Sequence, residues 1–382
     1  MHCRRSATLV LAVCIGLVGT LTRPVTAQNI RSLAAAGDSI TKGFNAQSAF
    51  PCPNTDQEQY NWATSDTNGS ETFGNPFCSS GSERVFSLTE RLECALQMNV
   101  ISPNPNQARS GAQMLKDFVN QSNSIKSYIS AQPAPRMTTV FLGHNDICGG
   151  KILKNNFSCS RGSDQDKNNY CRTTPAAFER EFRKGLDILI TVPDMKIAVA
   201  SLVRVSQLCN FAGKQNCQVF TNCQSLWTNF TGLDVIFGGG NGICGSLTYS
   251  CSDTRIADAY RTAKAYRDIL ERVTAEYAAI PEGDVSTVVT IGGQTVGGAV
   301  KALGTTLVYS NAPWMYKFTS GQLSCCDCFH PSRTGQEAAA RITFSGLNCG
   351  LTDTCCRDTG DPVRDGRCSS TDTSGTFYPG FF

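Results

Sequence analysis

The sequence predicts an α/β protein: a three-layer α/β/α sandwich with a mostly parallel central sheet and cysteine-rich loop insertions. Three observations lead there. Short apolar runs recur, each stopping where polar or glycine residues begin; stretches of helical period lie between them; and long polar segments rich in cysteine break the alternation. Strands alternating with helices argue for an open parallel sheet covered on both faces.

Residues 1–27 read as a secretory leader, with Arg4 and Arg5 before the apolar run Thr8 to Gly19 and Val25-Thr26-Ala27 as a small-residue cleavage site. The run is too short to span a bilayer, and no later stretch reaches the roughly 18 apolar residues a spanning helix needs. The expected body is 28–347, followed by a cysteine-rich tail over 348–382 that holds Cys349, Cys355, Cys356 and Cys368. The expected strands are Leu33 to Ala36, Thr138 to Leu142, Lys196 to Leu202 and Thr305 to Tyr309. Between them, Arg84 to Met98 puts Val85, Leu88, Leu92, Ala95 and Leu96 on one side, and Phe178 to Ile190, Ile256 to Ala278 and Gly335 to Phe344 repeat the pattern. Asn45 to Ser82, Gly149 to Thr174 and Val205 to Asp253 read as surface insertions that wall a site. The glycine cluster at 237–245 lacks the spacing and setting of a nucleotide loop and reads as a flexible turn.

The 34 lysines and arginines include Arg4, Arg5 and Arg23, and without these three the basic count equals the 31 acidic residues. A near-neutral chain with no basic stripe excludes the electrostatic footprint of a nucleic-acid binder. Of the 20 cysteines, Cys3 and Cys14 leave with the leader, and an even number remains. That parity, in an exported chain, makes disulfides the expected state. Asn68, Asn120, Asn156 and Asn229 each open a glycosylation sequon, used only where the source cell has the machinery.

Histidine narrows the chemistry, because His144 and His330 are the only two outside the leader. His330 has Asp327 three residues before it in "CCDCFHPSRTG", close enough to fix an imidazole tautomer and make a base. Two other readings stay open: a histidine packed among disulfides, and a metal site from Cys325, Cys326, Cys328 and His330. Ser39, in "LAAAGDSITKGF", follows an apolar strand, so its hydroxyl suits a nucleophile at the crevice beyond the strand ends; capping a helix is the alternative. The segment lacks the G-x-S-x-G elbow, having threonine where the last glycine should be. Acyl transfer also needs donors for an oxyanion. Asn145, in "FLGHNDICGG", and Gly111, in "NQARSGAQM", can supply a side-chain amide and an unshielded backbone N–H, although both residue types also serve ordinary turns.

Taken in order, "GDSI", the Gly111 segment, "GHND" and "DCFHP" resemble the four signature blocks of the SGNH hydrolases, the GDSL lipase and esterase superfamily. The longer stretches "AAAGDSITKGF", "TVFLGHNDIC" and "DCFHPSRTGQ" look most like its secreted phospholipase B branch. The resemblance implies the flavodoxin-like version of the sandwich and a Ser-His-Asp acyl-enzyme mechanism. In it Ser39 is the nucleophile, His330 the base and Asp327 the residue that orients it, while the oxyanion hole is the Ser39 N–H, the Gly111 N–H and the Asn145 amide. It implies no metal or organic cofactor. Ile40 replaces the name-giving leucine, a minor apolar exchange. His144 fills the variable position of G-x-N-D, where a wall or supporting role is expected, and Asp146 is expected to be a structural acceptor.

The function expected from the resemblance is a secreted serine ester hydrolase acting on acyl esters of phospholipids or lysophospholipids. A carbohydrate acetylesterase of the same superfamily is the first alternative, and a secreted binding protein with an inert site the second. The expected partners are a lipid or other acyl ester, with no nucleic acid and no transmembrane segment. No basic amphipathic helix stands out, so any contact with a lipid interface falls to the loop insertions.

Overall fold

The computed structural model describes residues 30–65, 85, 87–96, 105–149, 151–153, 156–159, 161–217, 221–229 and 244–348. The expected leader, the tail beyond 348 and most of the glycine cluster lie outside the described residues.

Four strands form the central sheet: β1 (Ser32–Gly37), β2 (Arg136–Phe141), β3 (Met195–Ala200) and β4 (Thr306–Ser310). They stand in the order β1-β2-β3-β4, and all three pairings are parallel, with Ser32 opposite Arg136, Arg136 opposite Met195 and Lys196 opposite Thr306. The edge beside β1 is covered by the segment 105–109. There Ala35 N–H donates to Pro105 O at 3.2 Å, Gln107 N–H to Ala35 O at 2.9 Å and Arg109 N–H to Gly37 O at 3.2 Å. Counting that segment, the chain runs outward from β1 first to one side and then to the other, so the topological switch falls at β1. Ligands of open parallel sheets bind beyond the carboxyl ends of strands at such a switch, which is where Ser39 follows β1.

Alternation along each strand sends side chains to two cores. Ala34 and Ala36, Val140, Ile197 and Val199 face α2 (Met114–Ile129), α3 (Pro175–Leu189) and α4 (Asp253–Ala279). Leu33 and Ala35, Met137 and Phe141, Ala198 and Ala200 face α1 (Leu88–Leu96) and α5 (Arg333–Asn348). The three-layer sandwich expected from the sequence is therefore the fold, with every pairing in its central sheet parallel.

Local chemistry starts the helices. Ser87 and Glu90 bond each other's backbone N–H in a capping box that opens α1, at 3.2 and 2.7 Å. Thr174 caps α3 and is followed by Pro175, and Ser252 caps α4. Helix α2 has no such local cap; Asp146, from the far side of β2, accepts from Met114 N–H at 2.7 Å and Leu115 N–H at 3.3 Å. No helix among the described residues is long and apolar enough to cross a membrane.

The insertions are stapled to this body. Cys148–Cys244, Cys159–Cys171 and Cys209–Cys251 tie loops to each other and to the strand ends, while Cys52–Cys326, Cys217–Cys325 and Cys223–Cys328 converge on four residues before His330.

Candidate active site

The turn that leaves β1 carries Asp38, Ser39 and Ile40, and the loop between β4 and α5 carries Asp327 and His330. Though 291 residues apart, Ser39 Oγ and His330 Nε2 are within 2.8 Å. On the other side of the ring, His330 Nδ1 lies 2.8 Å from Asp327 Oδ2. The three polar groups form one continuous chain, almost wholly shielded, with Ser39 5% and His330 2% exposed. Two of the alternative readings do not fit this geometry: the Ser39 hydroxyl meets His330, not a helix N-terminus, and Cys325, Cys326 and Cys328 are each held in a disulfide.

Asp327 is buried completely, yet its carboxylate is well satisfied. Oδ1 accepts from the N–H groups of Phe329 and His330 at 2.9 and 3.0 Å, and Oδ2 accepts from Asn45 Nδ2 at 2.6 Å as well as facing the imidazole. Burial alone would push the carboxyl up, but the adjacent His330 and the hydrogen bonds from its ring, from Asn45 and from the backbone outweigh it and hold Asp327 below its ordinary value. An ionised Asp327 facing Nδ1 fixes that nitrogen as the donor, so that Nε2 is the acceptor that meets the Ser39 hydroxyl.

Asn45 had no sequence signal, because its partner is 282 residues away. It occupies a left-handed backbone position, φ 53°, and its Oδ1 accepts from Asn54 N–H at 2.8 Å. Both ends of its amide are thus used to hold Asp327 against the turn after Ser39.

Two further groups are bound together beside the serine. Asn145 donates from Nδ2 to Ala112 O at 2.9 Å, and Gln113 Nε2 returns a bond to Asn145 O at 3.0 Å. This locks the Gly111 segment to the loop after β2, and one hydrogen of the Asn145 amide remains for another acceptor. Gly111 has φ +79°, a conformation that suits glycine, and a Cβ there would meet nothing within 4 Å. Among the described residues neither the Ser39 nor the Gly111 N–H meets an acceptor. Gly143, at φ +130°, turns the chain out of β2; a Cβ there would lie 2.9 Å from the Phe178 ring.

His144 and Asp146 do not join the Ser39–His330 chain. His144 Nδ1 lies 2.9 Å from Asp38 Oδ2, and its Nε2 accepts from Val203 N–H at 3.2 Å. Asp146 caps α2 and accepts from Thr173 Oγ1 at 2.7 Å; complete burial outweighs these bonds and raises its carboxyl to about 6. A second unforeseen residue, Gln121 of α2, bonds both backbone groups of Gly37 at 2.9 Å and so clamps the end of β1 just before Asp38.

A family model described as GDSL-like Lipase/Acylhydrolase matches residues 33–342. A search of curated proteins finds no match. Among solved structures, a candidate GDSL-like lipase from Parabacteroides merdae aligns with 85% of this chain and 97% of its own, at 12% identity and a TM-score of 0.34.

Proposed function

Because the chain belongs to the GDSL-like lipase/acylhydrolase family, whose members hydrolyse carboxylic esters, we propose that it is a secreted serine hydrolase of phospholipid or lysophospholipid acyl esters. The observation that carries the mechanism is the unbroken path from Ser39 Oγ through the His330 ring to Asp327, at 2.8 Å on each side. In the first half-reaction Ser39 Oγ attacks the ester carbonyl while His330 Nε2 takes its proton. The charged ring is stabilised by Asp327, and the oxyanion receives the N–H groups of Ser39 and Gly111 and the amide of Asn145. Collapse breaks the carbon–oxygen bond, and His330 returns the proton to the departing alcohol. Water then attacks the acyl-enzyme, gives its proton to His330 and releases the fatty acid as Ser39 recovers its hydrogen.

Secretion is supported by the six disulfides among the described residues, since such bonds persist in oxidising compartments. The phospholipid reading is supported by the likeness of the blocks around Ser39, Asn145 and His330 to the secreted phospholipase B branch. The test is fatty-acid release from lysophosphatidylcholine and phosphatidylcholine, with chelator present and tributyrin and an acetylated sugar as controls. Wild type is expected to release long-chain acid, and folded Ser39→Ala and His330→Ala to lose about 10⁴-fold or more of that rate. Turnover confined to the acetylated sugar would keep the mechanism and replace the substrate. Undiminished hydrolysis by Ser39→Ala would remove the mechanism.

A further inference from the structure

Asn45 and Ala46 form the seam between the two halves of the site. On the nucleophile side, Phe44 N–H donates to Ser39 O at 3.0 Å, and Asn45 follows directly. On the base side, Asn45 Nδ2 donates to Asp327 Oδ2 at 2.6 Å, Ser324 Oγ to Asn45 O at 2.9 Å and Arg333 N–H to Ala46 O at 2.7 Å. Asn45 is completely buried, so solvent does not compete for its amide. Two further charges bear on this seam: Lys214, whose ammonium bonds Leu323 O and interacts with Asp327, and Asp38, which is engaged by His144.

The donors around Asp327 give the Asn45 contact a chemical role. A carboxylate offers about four lone-pair positions. The N–H groups of Phe329 and His330 meet Oδ1, while Asn45 Nδ2 and His330 Nδ1 meet Oδ2, so each position faces a donor. A proton added to this carboxyl would point at a hydrogen already there. When His330 takes the Ser39 proton its ring carries two, and the one on Nδ1 faces Asp327 at 2.8 Å. With Oδ2 saturated, that proton stays on Nδ1, the ring keeps its positive charge, and the Nε2 proton is returned to the leaving alcohol. Without the Asn45 amide, Oδ2 has a vacant lone pair and takes the Nδ1 proton. The result is a neutral carboxylic acid beside a neutral ring that no longer balances the oxyanion.

We propose that Asn45 is a positioning residue of the acyl transfer, whose amide saturates Asp327 Oδ2 and so keeps the transferred charge on the His330 ring. The assignment rests on Ser39 being the nucleophile and His330 the base, and the test separates the two. The oxidised full-length protein is assayed on p-nitrophenyl butyrate, with Ser39→Ala as control. Asn45→Gly suits the left-handed backbone at φ 53° and removes only the side chain. It is expected to lower kcat about 10- to 100-fold, the loss of one hydrogen bond to a charged group, with KM within about threefold. Asn45→Asp keeps the shape and the contact to Asn54 N–H, but sets a second carboxyl against Oδ2. Two carboxyls in contact share one proton, which restores a donor at low pH and is lost as pH rises. The kcat of Asn45→Asp relative to wild type is therefore expected to fall about tenfold or more from about pH 5 to about pH 8, while that of Asn45→Gly stays level. As a measurement on wild type alone, protein carrying isotopically labelled histidine is treated with ethyl p-nitrophenyl methylphosphonate and followed by nitrogen NMR. In the Ser39 adduct, the Nδ1 proton of His330 is expected to show the full one-bond coupling of a nitrogen-held proton. A reduced coupling, wild-type kcat in folded Asn45→Gly, or one common pH dependence for the two variants would overturn the role of Asn45 alone. Hydrolysis that persists in Ser39→Ala, or a phosphonate that leaves Ser39 unlabelled, would overturn the catalytic reading beneath it.

Discussion

Asp38 and His144 make a second carboxylate–imidazole pair, one residue away from Ser39 and with quite different work. Asp38 Oδ1 accepts from Ile40 N–H at 2.9 Å and Oδ2 faces His144 Nδ1 at 2.9 Å, so the carboxylate shapes the turn that presents Ser39. Because His144 Nε2 accepts from Val203 N–H, its hydrogen sits on Nδ1 and no lone pair points at a substrate. Partners, and not residue type, sort the two histidines: one faces a hydroxyl, the other a backbone amide. His144→Phe keeps a ring against Phe141 but strands the buried Asp38 carboxylate, a loss of about 3 kcal/mol or more. We expect a lowered Tm and kcat reduced about 100-fold, with partial recovery in His144→Asn, whose amide can still reach Asp38. Equal kcat in Phe and Asn variants would show that the Asp38 bond has no part in placing Ser39.

The elements differ in how far local sequence foretells them. Helices α1, α3, α4 and α5 are legible because an apolar stripe of helical period, reinforced at α1, α3 and α4 by caps at Ser87, Thr174 and Ser252, specifies them without outside help. Helix α2 is not. Its middle runs Asn120-Gln121-Ser122-Asn123-Ser124, poor in helix formers and apolar residues, and its first turn is capped by Asp146, more than thirty residues further along the chain. What makes it helical is tertiary: Gln121 and Ser122 are buried against the body, and Gln121 holds Gly37. The order of the GHND and Gly111 blocks could be read, but the link between them, an aspartate that caps the helix, could not. Asp146 also carries a pH signature. Its carboxyl is raised from 3.8 to about 6 by burial, so between those values the folded state holds the proton more tightly than the unfolded chain. Stability from this group is therefore largest below about pH 4 and declines as pH rises through 6, by up to about 3 kcal/mol. Asp146→Asn removes the titration. In urea unfolding at pH 4 and pH 7, the advantage of wild type over Asp146→Asn is expected to shrink with rising pH; a constant or growing advantage would mean that the carboxyl is not raised.

At the scale of the whole molecule, the central problem is that the two halves of the site come from opposite ends of the chain. The sheet brings Ser39 to its place by parallel pairing, but the loop with Asp327 and His330 belongs to no strand and no long helix. Cysteine parity alone foretold disulfides there; which cysteines pair depends on loops whose paths are set only once the sheet has formed. The structure shows the outcome: Cys325, Cys326 and Cys328 reach Cys217, Cys52 and Cys223 across 108, 274 and 105 residues. Trp227, in the same short helix as Cys223, donates to Asp327 O at 3.2 Å. These staples do in covalent bonds what buried area does for the sheet, and they close long loops, which removes the most freedom from the unfolded chain. Replacing Cys223 and Cys328 together by alanine should therefore cost about 4 to 5 kcal/mol and, by loosening Asp327 on one flank, lower kcat at least tenfold. Cys159–Cys171 closes only 12 residues of a loop that carries none of the candidate catalytic groups. Its double alanine variant should cost less, about 3 kcal/mol, and leave kcat within about twofold. Denaturant melts and steady-state kinetics on both variants decide the matter: equal effects on kcat would mean that the loop keeps its shape by hydrogen bonds alone, whereas a loss confined to the Cys223–Cys328 variant makes this disulfide a part of how the base is positioned.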